Sequence, residues 1–350
     1  MDTEKTETTT DEGKNKNNEG PELDEILNRS KFDTDFNYTH SYFWPLVIGH
    51  AVMQISWVIG IYTAIFYAQW KTILWAIFVA FLGTESVALG AHRGFTHKSF
   101  KMKRPMKIAL IFLHTLSGQN SVFTWVRDHK LHHKYADSDA DPHNSRRGFF
   151  FSHMGWLMVK RNPLLRRMQK EIDISDLKSE PLIMFQHKYF IPLYFVMGFL
   201  IPLTVPMYFW NETFWSALFA AYFFPYVTSL HMTWTINSFA HMWGNRPYDG
   251  RLHARNSKIS WVATVGDGWH NYHHAFPWDC RMAEFGQYDG ISNAILSVLE
   301  YVGLVYDIKT ASPNVLYGHM KRHGDGTGGK SADNSRLYDK HITENMFRLD

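Results

Sequence analysis

From Ser41 to Gln69 no Lys, Arg, Asp or Glu interrupts a run of aliphatic and aromatic residues. A helix crosses a bilayer core with about 20 apolar residues, so this stretch predicts a span. Lys71 breaks the run and a second one follows from Thr72 to Ala91. A break this short predicts a helical hairpin. Its second helix carries Glu85, and an ionisable group inside a span is costly unless it is paired or used. The pattern returns around Glu212, with uncharged runs from Tyr189 to Asn211 and from Thr213 to about Ser229. The last of these stays free of charge to Asn245.

Between the hairpins the pattern changes. Ile108 to Val126 is uncharged but holds Ser117-Gly118-Gln119-Asn120-Ser121 at its middle, which predicts a buried or interfacial helix pair rather than a span. Residues 134–187 are polar with both signs of charge, and 246 to about 317 reads as soluble. The expectation is an all-α integral membrane protein of four transmembrane helices under a helical cap. The hairpins fall at about 41–91 and 189–237, and the cap at 92–187 and 241–317. Residues 1–38, rich in Thr, Glu, Lys and Asn, read as a disordered tail, and 318–350 as a flexible one. No apolar signal segment opens the chain.

Lys98, Lys101, Lys103, Arg104 and Lys107 follow the first hairpin, which places that flank in the cytosol. Two hairpins return the chain to the same side, so both termini and the whole cap are expected there. A net charge of +3 demands no nucleic acid, and a basic surface serves anionic lipid or an anionic cofactor. The single cysteine, Cys280, excludes an intrachain disulfide and a cysteine-built zinc or iron–sulfur site.

The candidate chemistry is in the histidines. Asp128-His129-Lys130-Leu131-His132-His133 and Trp269-His270-Asn271-Tyr272-His273-His274 share one H-x-x-H-H spacing, which gathers imidazoles on one side of a helix. His92 and His97 end the first hairpin; five residues apart is not one α-helical face, so the helix is expected to end or bend between them. Asn237 and His241, four apart, add two more donors at the end of the last apolar run. Nine box histidines (His92, His97, His129, His132, His133, His241, His270, His273, His274) are too many for one ion and suit two. No Glu-x-x-His occurs, so the site is nitrogen-rich, unlike the carboxylate-bridged soluble di-iron bundles. Redox ions beside membrane helices suit oxygen activation against an unactivated C–H bond. A histidine-box hydroxylase shares that logic. A membrane metal transporter would want its ligands at the midplane rather than at helix ends.

The order H-x-x-x-x-H, H-x-x-H-H, N-x-x-x-H, H-x-x-H-H resembles the membrane-bound acyl-CoA desaturases of the stearoyl-CoA desaturase type. The resemblance covers roughly residues 40–315. It is dense from Asp128 to Trp156 and from Gly268 to Trp278, and it leans toward the insect branch that includes moth pheromone enzymes. It implies two ferrous ions on the nine histidines, with Asn237 reaching one through water. It implies acyl-CoA contacts at Gln119, Asn120, Trp125, Arg127, Asp128, Lys160, Arg161, Thr233 and Trp234, the basic ones suited to coenzyme A phosphates. It also implies an endoplasmic reticulum enzyme that uses dioxygen to leave a cis Δ9 or Δ11 double bond. No haem-binding His-Pro-Gly-Gly motif occurs, so electrons come from a separate protein. In the family that protein is cytochrome b5, served by NADH-cytochrome b5 reductase. By alignment on His92, the blind end of the acyl tunnel falls at Ala80 and Thr84.

The chain departs from the family in three places. The first box reads His92-Arg-Gly-Phe-Thr-His97 where His-Arg-Leu-Trp-x-His is usual. Ser86-Val-Ala-Leu-Gly-Ala91 precedes it in place of Gly-Ile-Thr-Ala-Gly-Ala. Trp44-Pro45-Leu46 replaces Trp-Arg-Asn at the first span. The ligands are intact; these changes bear on chain length and double-bond position.

Overall fold

The computed structural model describes residues 33–283 and 290–328. Helices α1 (Trp44–Phe66) and α2 (Trp70–Thr96) form the first hairpin. Pro45 stands in the first turn of α1, where its missing N–H leaves no bond unmade. The cap follows with α3 (Arg104–Leu116), α4 (Val122–Tyr135), α5 (Pro163–Glu171) and α6 (Pro181–Lys188). Helix α7 (Phe190–Trp210) returns toward the far end. Helix α8 runs back without a break over 214–242, with a π-helical middle at Ala217–Phe223. Helices α9 (Lys258–Thr264), α10 (His270–Ala275), α11 (Ile291–Tyr301) and α12 (Pro313–His323) complete the cap.

Helices α1, α2 and α7 are long and apolar enough to cross a membrane, and the protein is a multi-pass membrane protein. Ile48, Ile55, Ile65, Leu74, Ile77, Ile191 and Phe195 all lie exposed on them, a surface suited to lipid rather than water. The charge that breaks the second apolar pair is paired. Buried Glu212 accepts from the Gln69 N–H at 2.9 Å and the Thr72 hydroxyl at 2.5 Å, and from the Thr213 N–H at 3.0 Å. Trp210 Nε1–H donates to the same Thr72 at 2.8 Å. The turns of the two hairpins are thereby tied together at one end, which leaves their other ends to carry the cap.

The structure departs from the expectations in several particulars. Helix α2 does end between His92 and His97, at Thr96, but it first widens into a π-helix over Ser86–Thr96, and the His97 N–H reaches the His92 carbonyl at 3.1 Å. An i→i+5 bond is the π-helical repeat, so residues five apart come to one side after all. One exception to the all-α reading joins the two halves of the cap: strands β1 (Lys101–Met102) and β2 (Val305–Tyr306) pair antiparallel, with Lys101 opposite Tyr306.

Residues 33–38, assigned to the disordered tail, are seated on the cap. Thr34 donates to the Asp137 carbonyl at 3.2 Å, and Arg147 donates to the carbonyls of Asp35 and Tyr38. Helix α12 carries order past position 318 to His323. The rest of both predicted tails, 1–32 and 329–350, lies outside the described residues.

The predicted helix pair at 108–126 is present as α3 and α4, split at Ser117–Ser121. Ser121 caps α4 by accepting from the Thr124 N–H, and its hydroxyl lies 2.7 Å from His187 Nδ1. Val122, Phe123 and Val126 bury one face of α4 against Ile111, Leu177 and Ile183. The other side of α4 carries the histidines.

Candidate metal centre

Four elements deliver the nine box histidines. The π-helical end of α2 supplies His92 and His97, α4 supplies His129, His132 and His133, α8 supplies His241, and α10 supplies His270, His273 and His274. Helix α10 has only six residues and needs help to form. Asn256 Oδ1 accepts from the N–H groups of Asn271 and Tyr272 at 3.0 and 3.2 Å, capping its first turn. Gly268 lets the chain enter this turn, since a Cβ there would meet the Trp261 backbone nitrogen at 2.2 Å.

The imidazoles sort into two groups. His92, His97, His129, His133 and His273 form one, and His132, His241, His270 and His274 the other, each with its ligand atoms within 4.8 Å of one another. Each H-x-x-H-H box therefore serves both groups. Its i,i+4 pair goes to one and its i+3 member to the other, because four residues overlay on a helix more closely than three. His133 and His274 stack at 4.2 Å where the groups adjoin.

Within the groups Nε2 atoms face one another at 2.8–3.3 Å. Two carboxylates fix the tautomers in the second group. Asp141 Oδ2 accepts from His132 Nδ1–H at 2.9 Å, and Asp137 Oδ2 accepts from His241 Nδ1–H at 2.8 Å. With the proton on Nδ1, each Nε2 offers a lone pair to the group's centre. Lone pairs aimed at one another repel, and a cation between them resolves the arrangement. Burial holds His97 down to about 3, with His132 adding to it. Burial first, and neighbouring imidazoles second, push His129, His133, His270, His273 and His274 well below the ordinary histidine value. For these six the unprotonated form that binds metal is thus the resting form at neutral pH, while the Asp137 carboxylate raises His241 against its burial. Both groups fit a metal ion.

A cavity of about 810 Å³ runs beside the first group. His92, His129, His270 and His273 line it with Thr84, Glu85, Trp125, Thr233, Ile236 and Asn237. Gln119 bridges two of these wall residues, donating from Nε2 to the Thr233 hydroxyl at 2.9 Å and accepting from Trp125 Nε1–H at 3.2 Å. Trp234 does not line this space; it is buried and packs against His50, His153 and His231. Ala80 lines a separate cavity of about 300 Å³ nearer the membrane, with Gly83, Tyr222 and Tyr226, so the two expected tunnel-end residues fall in different spaces. Arg127, Arg161 and Gln169 all bind the Asp128 carboxylate, at 2.8–2.9 Å. Lys160 is exposed beside Arg161, and Asn120 is exposed at the start of the Ser121 turn with a φ of 67°.

The sequence reading missed three supports. Asp137 and Asp141 were legible only as an Asp-x-Asp-x-Asp run just past the second box. Arg93, inside the first box, is almost wholly buried. It donates to the Cys280 carbonyl at 2.9 Å, to Asn293 Oδ1 at 2.5 Å and to Asp267 Oδ1 at 2.7 Å. It thereby locks the end of α2 to the loop that leads into α10.

These features define a class: a multi-pass helical protein whose histidines build two adjoining groups fit for metal ions beside a cavity. Residues 68–309 match the fatty acid desaturase family. The chain is 41% identical over 286 residues to the acyl-CoA Delta-12 desaturase of Tribolium castaneum, covering 81% of this chain and 80% of that protein. It is 43% identical to the (11Z)-hexadec-11-enoyl-CoA conjugase of Bombyx mori (80% and 85% covered) and 40% to the stearoyl-CoA desaturase of Homo sapiens (81% and 79%). The chain belongs to the fatty acid desaturase family, in its membrane acyl-CoA desaturase branch, and is an oxidoreductase.

Proposed function

We propose that this enzyme takes two hydrogens from a saturated acyl-CoA and leaves a cis double bond of the Δ9 or Δ11 type. Dioxygen is the oxidant, and cytochrome b5 with its NADH-dependent reductase supplies the electrons. The observation that carries this reading is the pair of adjoining histidine groups, both of which contribute to the wall of one cavity of about 810 Å³. The nine histidines would hold two irons, and Asn237, on the cavity wall beside them, would reach one through water. When bound, such a pair supplies activation of dioxygen and cleavage of unactivated C–H bonds.

The protein's own part is to present the chain and keep it dry. Trp125, packed against His92 and His129, and Thr233, both held by Gln119, shape the cavity wall beside the histidines and would set the path past them. Arg127, Lys160 and Arg161 offer donors for the coenzyme phosphates on the cap surface, with Asp128 fixing the two arginines. Desaturase relatives from insects and a nematode act on Δ9, Δ11 or Δ12 positions by their names, and the human relative is named for stearoyl-CoA, which supports the substrate class without fixing the carbon. Helix α8 would be the fourth span, since it is free of Lys, Arg, Asp and Glu and ends in exposed Phe214 and Trp215. The basic flank after α2 favours a cytosolic cap on the endoplasmic reticulum.

Expression in desaturase-deficient yeast, with double bonds located by mass spectrometry, tests the reading. New monounsaturated chains are expected. Hydroxylated chains in their place would make it a hydroxylase, and unchanged lipids with metal uptake into vesicles would make it a transporter.

A further inference from the structure

The cavity beside the histidines is not uniformly apolar. Val87, Ala88, Met232, Ile236 and Met282 form much of its wall, yet Glu85 stands among them, seven residues before His92 on the same helix. Its partner comes from the cap: the Ser292 hydroxyl of α11 donates to Glu85 Oε2 at 2.8 Å. No described residue donates to Oε1, and among the described residues no cation forms an ion pair with Glu85. The nearest candidate, Arg93, is spent on Asp267 at 2.7 Å. Glu85 therefore borders the cavity with one carboxyl oxygen that takes no hydrogen bond from the described residues.

A plain methylene chain drawn past this oxygen strips its water and returns nothing. Leaving such a group unsatisfied weakens binding by roughly tenfold or more. A hydroxyl on the chain at that height removes the penalty by bonding to Oε1. Sites that hydrogen-bond a substrate hydroxyl discriminate against chains lacking it far better than an apolar pocket discriminates against an added one. Thr84 and Thr264 border the same space and extend its polar side.

We propose that Glu85 makes this cavity selective for acyl chains carrying a hydroxyl group several carbons from the pair that faces the histidines. This deepens the acyl-CoA reading and rests on it. Glu85 is then a specificity residue, while Ser292 holds its carboxyl toward the wall. The competing role is a plain latch between α2 and α11, which would affect every ligand alike.

The test is equilibrium binding to the full-length, metal-loaded protein in nanodiscs under nitrogen, where no turnover occurs. The ligands are stearoyl-CoA and a positional series of hydroxystearoyl-CoAs. At least one hydroxylated isomer is expected to bind the wild type roughly tenfold tighter than stearoyl-CoA. Glu85→Leu should abolish that advantage and tighten stearoyl-CoA binding, while Glu85→Gln, which keeps the hydrogen-bonding groups, should preserve it. The proposal is overturned if no isomer is favoured by the wild type, or if Glu85→Leu and Glu85→Gln shift all ligands equally. Failure of every acyl-CoA to bind would instead remove the acyl-CoA reading and this proposal with it.

Discussion

Asp141→Asn separates the two metal sites by chemistry rather than by removing a ligand. The Asp141 side chain is wholly buried, and its Oδ2 accepts from both His132 Nδ1–H at 2.9 Å and the Asp137 N–H at 2.8 Å. Burial alone would raise this carboxyl; His132 and His143 beside it hold it below the usual range. An amide of the same shape keeps one acceptor oxygen and turns the other position into a donor. If the NH2 faces His132, that ring must move its proton to Nε2 and lose the lone pair aimed at the group's centre. If it takes the place of Oδ1 instead, the His143 N–H, which that oxygen accepts at 3.1 Å, meets a donor. Outer partners of metal-bound histidines are generally worth 10–100-fold in affinity, about 1.4–2.7 kcal/mol. Both carboxylate partners, Asp141 on His132 and Asp137 on His241, serve the four-histidine group. The loss should therefore fall on one ion. Iron content by plasma mass spectrometry should drop toward half of wild type, with activity lost. Asp137→Asn should do the same, and Asp141→Glu should restore part of it. Full iron content and unchanged competition against a chelator in both amide variants would refute the tautomer argument.

Three further outcomes follow from the same geometry. If the acyl chain's far end passes from the histidine cavity into the separate one of roughly 300 Å³ that Ala80 lines with Tyr222 and Tyr226, Ala80→Tyr, at about 0.8 kcal/mol per methylene, should shift the product profile to shorter chains; an unchanged profile with a destabilised protein would make Ala80 simple packing. Lys160, exposed and in no ion pair among the described residues, is free for a phosphate, so Lys160→Ala should raise the KM for acyl-CoA roughly tenfold with metal content intact; no change in KM would place the coenzyme elsewhere. In the metal-free protein, His97 titrates near 3 when folded and near 6.5 when unfolded, so protons favour unfolding between those values. Its thermal midpoint should be highest above pH 7 and fall as the pH drops below about 6.5, and a flat profile down to pH 4 would contradict the buried neutral histidines.

The apolar runs gave three of the expected spans to within a few residues, because exclusion of charge over some 20 positions is a signal that needs no tertiary context. The runs from Ser41 and Thr72 became Trp44–Phe66 and Trp70–Thr96, and the run from Tyr189 became Phe190–Trp210. The H-x-x-H-H boxes were equally legible, since ligand spacing on a helix is local geometry. The placement of His92 and His97 was not. Five residues apart reads as two faces at the α-helical repeat, and nothing local in Ser86–Thr96 announces the wider π repeat. That conformation is held from outside the segment, by Arg93 reaching three partners on the 267–293 part of the chain.

The same limit explains which supporting residues stayed hidden. Asp137 contacts His241 from 104 positions away, and Glu85 meets Ser292 across 207. A carboxylate's role is set by the proton it faces, and that proton belongs to another element. Sequence spacing identifies which atoms bind a metal because ligands repeat along one helix. It does not identify which atoms orient those ligands, because the orienting groups are brought in by the packing of the cap on the hairpins. Glu85 shows the consequence most directly. In the sequence it is an unexplained charge in a span; in the fold its carboxyl lines the cavity and has one oxygen bonded to Ser292 of the cap. Only the pairing of these two facts turns a puzzling residue into a statement about what the chain in that cavity must carry.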